Sequence, residues 1–165
     1  MDFIDIHSKG KYSTDDDTKK IAIELSNFTA HAFTLDGVEC ASMEGFLQAL
    51  KYVSPKKQRE ICKLTGKLAK EAGDGKFLWQ LMHEAFWQGK RYDRISPEFR
   101  ALIFRAYSAM YAQNAPFRAA LAASRGKKLC HSIGEPNPKK TILTEREFLC
   151  MLYRLRRMGE EKAWK

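Results

Sequence analysis

Sorted by apolar and polar positions, the chain divides into a polar start, a short β-like stretch and a long helical remainder. Residues 1–19 are polar and turn-rich, and are expected to form a ragged arm bounded by "STDDDT". "KIAIELSNF" alternates enough to predict a short strand, and "HAFTLDGVEC" predicts a hairpin turning at Asp36-Gly37. Beyond Cys40 the apolar period lengthens to that of helices.

Ser54-Pro55 and Ser96-Pro97 each place a capping hydroxyl before a proline suited to a first helical turn. The second pair opens the clearest helix. Phe99, Leu102, Ile103, Ala106, Tyr107, Met110 and Tyr111 keep the i, i+3, i+4, i+7 spacing, with Arg100, Arg105 and Gln113 off the stripe. That stripe is read as core rather than as a cofactor box. "APFRAALAAS" predicts a shorter helix after it. Lys128 to Ile133 predict a short edge strand, and Gly134, Pro136 and Pro138 a loop. In "LTEREFLCMLYRLRR", Thr144 and Glu147 have the spacing of a capping box, with Leu143 and Phe148 as its hydrophobic staple. The expected fold is therefore a helix-rich α+β single domain with a few short strands, an arm over 1–19 preceding a main domain over 20–165.

Composition narrows the partners. Apolar residues at 44% and aromatics at 12% of 165 residues exclude wholesale disorder. No apolar run approaches the roughly 20 residues of a membrane span, and the first residues lack the basic and apolar blocks of a signal peptide, so a cytoplasmic location is expected. Cys40, Cys62, Cys130 and Cys150 form no CxxC pair, and the four histidines are scattered, so no metal or other cofactor is expected. Cys62 and Cys150 fall within helical patterns and are read as buried free thiols. The net charge of +9 favours polyanionic partners, phosphates above all, without naming one.

One short helix carries candidate chemistry. In "CASMEGFLQALKY" (40–52), Met43, Phe46, Leu47 and Leu50 form an apolar arc, and Glu44, Gln48 and Lys51 a narrow polar arc beside it. Groups on such a border are partly desolvated, where carboxylate and amine pKa values shift. Spacing alone equally fits a solvated helix face.

The flanking residues change that balance. "LSNF" at 25–28, "FTLDGVECASMEGFLQALKY" at 33–52, "FWQGKRYDR" at 86–94, "AMYAQNAPFRAAL" at 109–121 and the closing "LYRLR" resemble the NADAR superfamily, the YbiA-like proteins, over roughly residues 21–157. The resemblance implies the fold of that family and N-glycosidase chemistry on ribosylated amines. One branch removes ADP-ribose from guanine in nucleic acid, including as antitoxin to DarT-type toxins, and another cleaves ribosylamino intermediates of riboflavin synthesis. The implied partners are ADP-ribosylated DNA or RNA as substrate, ADP-ribose as product, and a DarT-type toxin. By resemblance Glu44 is the key acid, with Asn27, Phe28, Gln48 and Lys51 close to it. Ser96 stands where the better-known branch has a tryptophan, and the late Trp-Gly pair of that branch is replaced by "CHSIGEPNPKKT".

A ribose–amine bond breaks through a cation-like sugar, which a carboxylate stabilises while moving protons. Glu44 is read as that acid–base group. Lys51 is read either as a covalent participant that intercepts a ring-opened imine, or as the charge that sets the pKa of Glu44. Trp87, read at a helix end, is expected either to stack on a base or to serve as packing. Gly89, Lys90, Arg91 and Arg94 follow it, and the cations are expected to bind pyrophosphate oxygens. His131, Lys139 and Lys140 are expected on the far side, with Gly134 allowing close backbone approach. Lys56, Lys57, Arg59, Lys63, Lys67 and Lys70 form a basic series across which a polynucleotide could lie. A non-catalytic binder of ADP-ribose or nucleic acid is the reading from another class.

Overall fold

The computed structural model describes residues 2–163, so Met1 and the last two residues of the domain expected over 20–165 lie outside the described residues. Eight helices and six short strands are present among them, a helix-rich α+β fold. The strands pair only in twos. β1 (Phe3–Asp5) runs parallel to β6 (Lys128–Cys130), β2 (Phe33–Leu35) antiparallel to β3 (Val38–Cys40), and β4 (Glu84–Trp87) antiparallel to β5 (Lys90–Asp93).

The start of the chain is not ragged. Ile4 in β1 and Ile6 just after it are completely buried, and "STDDDT" is a helix start rather than a loop. Asp15 accepts from the Thr18 amide at 2.8 Å and opens α1 (Asp16–Leu25), which takes in the "KIAIEL" expected as a strand. Thr18, Ala22 and Leu25 face inward at helical spacing. The capping aspartate and this 3.6-residue period outweigh a weak alternation.

The β2–β3 hairpin turns where expected. Asp36 and Gly37 both have positive φ, 51° and 76°, as a two-residue primed turn requires. α2 (Met43–Ala49) follows, capped by Ser42, whose hydroxyl accepts from the Gly45 amide at 3.1 Å and donates to the Leu64 carbonyl at 3.0 Å. Gly45 is needed there, since a Cβ would stand 2.7 Å from the Leu64 carbonyl oxygen. α3 (Pro55–Ile61) and α4 (Gly66–Gly73) pack against α2, and α5 (Leu78–Met82) leads into β4.

α6 (Pro97–Gln113) buries Phe99, Leu102, Ile103, Ala106, Tyr107 and Met110, the predicted stripe, while Tyr111 is only partly buried. α7 (Ala115–Ala123) comes next, and the strand expected over 128–133 shrinks to the three residues of β6, because only these find a partner in β1. α8 (Glu145–Ala163) starts with the expected capping box. The Glu147 amide donates to Thr144 Oγ1 at 3.1 Å, and the Thr144 amide donates to Glu147 Oε1 at 2.8 Å. Of the two helical cysteines, Cys62 is buried but Cys150 is exposed, since it lies off the stripe of Phe148, Met151, Leu152 and Leu155.

Candidate functional site

A cavity of about 570 Å³ opens between α2, the turn after α1, the end of α4, the β1–β6 edge and the loop that enters α8. Glu44, Gln48 and Lys51 all line it, so the polar arc of α2 is a cavity wall and not a solvated face. Gln48 Nε2 donates to Glu44 Oε1 at 2.7 Å, the i, i+4 contact the spacing allows. Burial pushes the Glu44 carboxyl above the usual carboxylate range, against the opposing pull of the Gln48 hydrogen bond and the Lys51 and Lys70 charges. Burial likewise lowers the Lys51 ammonium, partly offset by the negative charges of Glu44 and Asp74. Lys51 Nζ lies 5.8 Å from the centre of the buried Trp79 ring.

Two contacts hold the "SNF" turn against this helix. The Glu44 amide donates to the Asn27 carbonyl at 3.1 Å, and the hydroxyl of fully buried Tyr107 donates to Asn27 Oδ1 at 2.7 Å. With its oxygen engaged, the Asn27 amide has its NH₂ group to offer to the cavity it lines. Burial raises the Tyr107 phenol well above its ordinary value, so it remains a neutral donor. Phe28 lines the cavity beside Asn27.

Gly73, the last residue of α4, makes room for Gln48. A Cβ there would stand 1.7 Å from Gln48 Oε1 and 3.2 Å from Lys51 Nζ. Gln48 Oε1 is buried with no hydrogen-bond partner among the described residues, so its amide is held by the Glu44 contact and by packing against the Gly73 backbone.

The structure separates the remaining expected residues. His131, Gly134 and Lys140 line the cavity, and Gly134 closely approaches the His131 ring. Lys70, read as part of a polynucleotide-binding series, also lines it. Trp87, Gly89, Lys90 and Arg94 do not. Trp87 is on strand β4 rather than a helix end and is 2% exposed. It packs edge-on against Phe46 at 4.9 Å between ring centres and donates to Asp36 Oδ2 at 2.8 Å. A ring so enclosed cannot stack on a base. Gly89 (φ 86°) forms the β4–β5 turn with Gln88, and Lys90 follows it with its ammonium over Tyr92. Arg91 pairs with Glu84.

Arg94 is 3% exposed and bound on both sides. Its guanidinium donates to both Glu147 carboxylate oxygens, at 2.7 and 3.0 Å, and to the Thr141 carbonyl. Thr141 and Thr144 line the cavity, so Arg94 supports that wall from behind instead of binding pyrophosphate. Burial alone would raise the Glu147 carboxyl, but the Arg94 and Thr144 hydrogen bonds win and hold it below its usual value. Asp36 and Glu39, the carboxylates just ahead of α2, do not line the cavity. Asp36 is held by Arg105 and Trp87, and Glu39 is exposed on β3.

Sequence reasoning missed His7 and Ser8, which line the cavity, and the supporting roles of Tyr107 and Gly73. Tyr107 sits in a stripe that reads as core, which it also is. No local pattern marks His7 or Gly73. Among the described residues no cluster of His, Cys, Asp and Glu could hold a metal, and no helix is long and apolar enough to cross a membrane.

A short polar helix, an "SNF" turn under its first residue and a cavity between them occur here in a fold shared with YbiA. The chain superposes on the NMR structure of the Escherichia coli protein YbiA with a TM-score of 0.62 at 21% identity, covering 100% of this chain and 89% of that one. The class of fold read from the sequence is thus shown. Within it, the chain belongs to the family described as bacteriophage protein GP30.3, which matches residues 19–157. It is 42% identical over 133 residues to a 17.1 kDa protein of the Gp30–rIII intergenic region of enterobacteria phage T4, covering 80% of this chain and 88% of that protein.

Proposed function

We propose that this protein is an N-glycosidase that hydrolyses the bond between ribose and the amino group of ADP-ribosylated guanine in nucleic acid. The observation that carries the reading is the Glu44–Gln48–Lys51 arc. It places one carboxyl raised by burial and one amine lowered by burial in the same cavity. A carboxyl raised by burial holds its proton to higher pH than an ordinary one and can protonate a leaving amine, and its carboxylate then opposes the charge of the sugar cation. In the hydrolytic step water adds its hydroxyl to C1 of ribose and gives up its proton to Glu44, which is restored as an acid. The nitrogen leaves as the free amino group of guanine.

The lysines of the cavity, Lys51, Lys70 and Lys140, suit the phosphates of an ADP-ribosyl group. Lys51, made less basic by burial, also suits a covalent variant. In that variant its amine displaces the guanine amino group from a ring-opened ribose, and water later releases the sugar. The enzyme that attaches ADP-ribose, a transferase of the DarT type, is the functional partner this reaction implies.

The test is incubation with guanine-ADP-ribosylated DNA and, separately, with a ribosylaminopyrimidine phosphate. Release of free ADP-ribose from the first, abolished in Glu44→Gln, is the expected result. Cleavage of the second substrate alone assigns the protein to small-molecule ribosylamines. Tight ADP-ribose binding without turnover of either makes it a binding module. Borohydride added during turnover traps an adduct on Lys51 only in the covalent variant.

A further inference from the structure

The β1–β6 edge brings two histidines to one side of the cavity, and the backbone holds their rings in opposite tautomers. His131 Nδ1 lies 2.8 Å from the Ile6 carbonyl oxygen. A carbonyl only accepts, so this nitrogen carries the proton, and in the neutral imidazole Nε2 presents a lone pair. His7 Nδ1 lies 3.1 Å from the Lys9 amide, which only donates, so here Nδ1 is the acceptor and Nε2 carries the proton. Neither Nε2 has a partner among the described residues, and both histidines line the cavity, as does Ser8. The His131 ring is fixed further by Phe148, edge-on at 5.2 Å, and by the close approach of Gly134. His7 meets Tyr12 in the same manner at 5.4 Å.

We infer that this edge is a recognition wall for a sugar hydroxyl or vicinal diol of the ligand, and that His7 and Ser8 are part of the binding site. A ligand hydroxyl can donate to His131 Nε2, and a ligand oxygen can accept from the His7 Nε2 proton. A phosphate dianion offers acceptors only and leaves the His131 lone pair unmatched. The cavity thereby presents amines at Lys51 and Lys70, suited to phosphates, and a pair of imidazoles at the β1–β6 edge, suited to sugar hydroxyls. His7 and Ser8 precede residue 19, where the match to the family begins, so the wall is built partly from chain outside that match. The inference extends the proposed function by saying which part of an ADP-ribosyl group each set of side chains holds.

Two measurements on the full chain test it. Long-range proton–nitrogen correlation spectra of the labelled, ligand-free protein should show His131 protonated on Nδ1 and His7 on Nε2. Both rings in one tautomer, or His131 protonated on Nε2, overturns the inference whatever the protein cleaves. Calorimetric titration then compares ADP-ribose with ADP, which lacks the terminal ribose. In His131→Asn the new amide can keep the bond to Ile6 but offers no acceptor at the Nε2 position. That variant and His7→Phe should each bind ADP-ribose about tenfold more weakly, with ADP affinity unchanged. Equal losses for both ligands, or none, overturn the assignment of the wall to sugar. Wild-type protein that shows the stated tautomers but cleaves neither proposed substrate counts against the reaction alone.

Discussion

The cavity has two unlike walls. One is a single helix, α2, whose Glu44, Gln48 and Lys51 are brought together by helical period alone. The other joins segments far apart in the chain, with β1 laid parallel to β6 so that His7 and His131 share one edge. In the first, spacing in sequence is spacing in space, and both burial shifts come from one short segment. In the second, nothing local relates the partners, and the tautomer of one histidine is set by a carbonyl from a remote segment of the chain. A site assembled in this way can conserve its chemistry on a compact local element while its recognition surface depends on distant pairing.

The sharpest way to break the comparison is to remove the acid of the local wall. Glu44→Gln keeps the size of the side chain and should lower turnover by about 10³-fold, a general acid's contribution, with the melting temperature not reduced. A folded Glu44→Gln protein with full turnover would falsify the assignment. Next in size is the support behind the loop that enters α8. Arg94→Met strands a partly buried Glu147 and frees the Thr141 carbonyl, and should cost about 3 kcal/mol by urea unfolding. Because Glu147 is held below the ordinary carboxylate value, its share of stability is present above that range and lost as pH falls through its folded pKa. The gap between wild type and Arg94→Met should therefore narrow in acid.

Gly73→Ala probes whether α2 suffices by itself. The added methyl group displaces the Gln48 amide from Glu44, and a shift of about 1 Å in a reacting group can cost on the order of 100-fold in kcat. It also removes a hydrogen bond that lowers the Glu44 pKa. With Glu44 as proton donor, activity persists below its raised pKa and falls as pH rises through it, and the falling limb should move to higher pH. An unmoved limb in both Gly73→Ala and Gln48→Ala would show that Gln48 does not set the acid. The smallest effect is expected from Trp87→Phe. It removes one hydrogen bond to Asp36 and should cost about 1 kcal/mol of stability with turnover unchanged, as befits a core residue.

What the amino-acid order determined by itself is what short-range physics controls. The Asp36-Gly37 turn, the proline-led α6 with its apolar stripe, the Thr144–Glu147 capping box and the shared arc of Glu44, Gln48 and Lys51 each depend on residues within a few positions of one another. The same local reading failed where two periods competed, and "KIAIEL" became helix because Asp15 capped it. Tertiary structure alone decided which charges and rings face the cavity. Trp87 and Arg94 carry the right chemistry for a ligand, but hydrogen bonds to Asp36, Glu147 and Thr141, residues remote in sequence, claim them for the interior. His7 gives no such local signal, yet it reaches the cavity because β1 pairs with β6. Helical period acts over four residues, whereas burial and the partner of a polar group are settled only when distant segments meet.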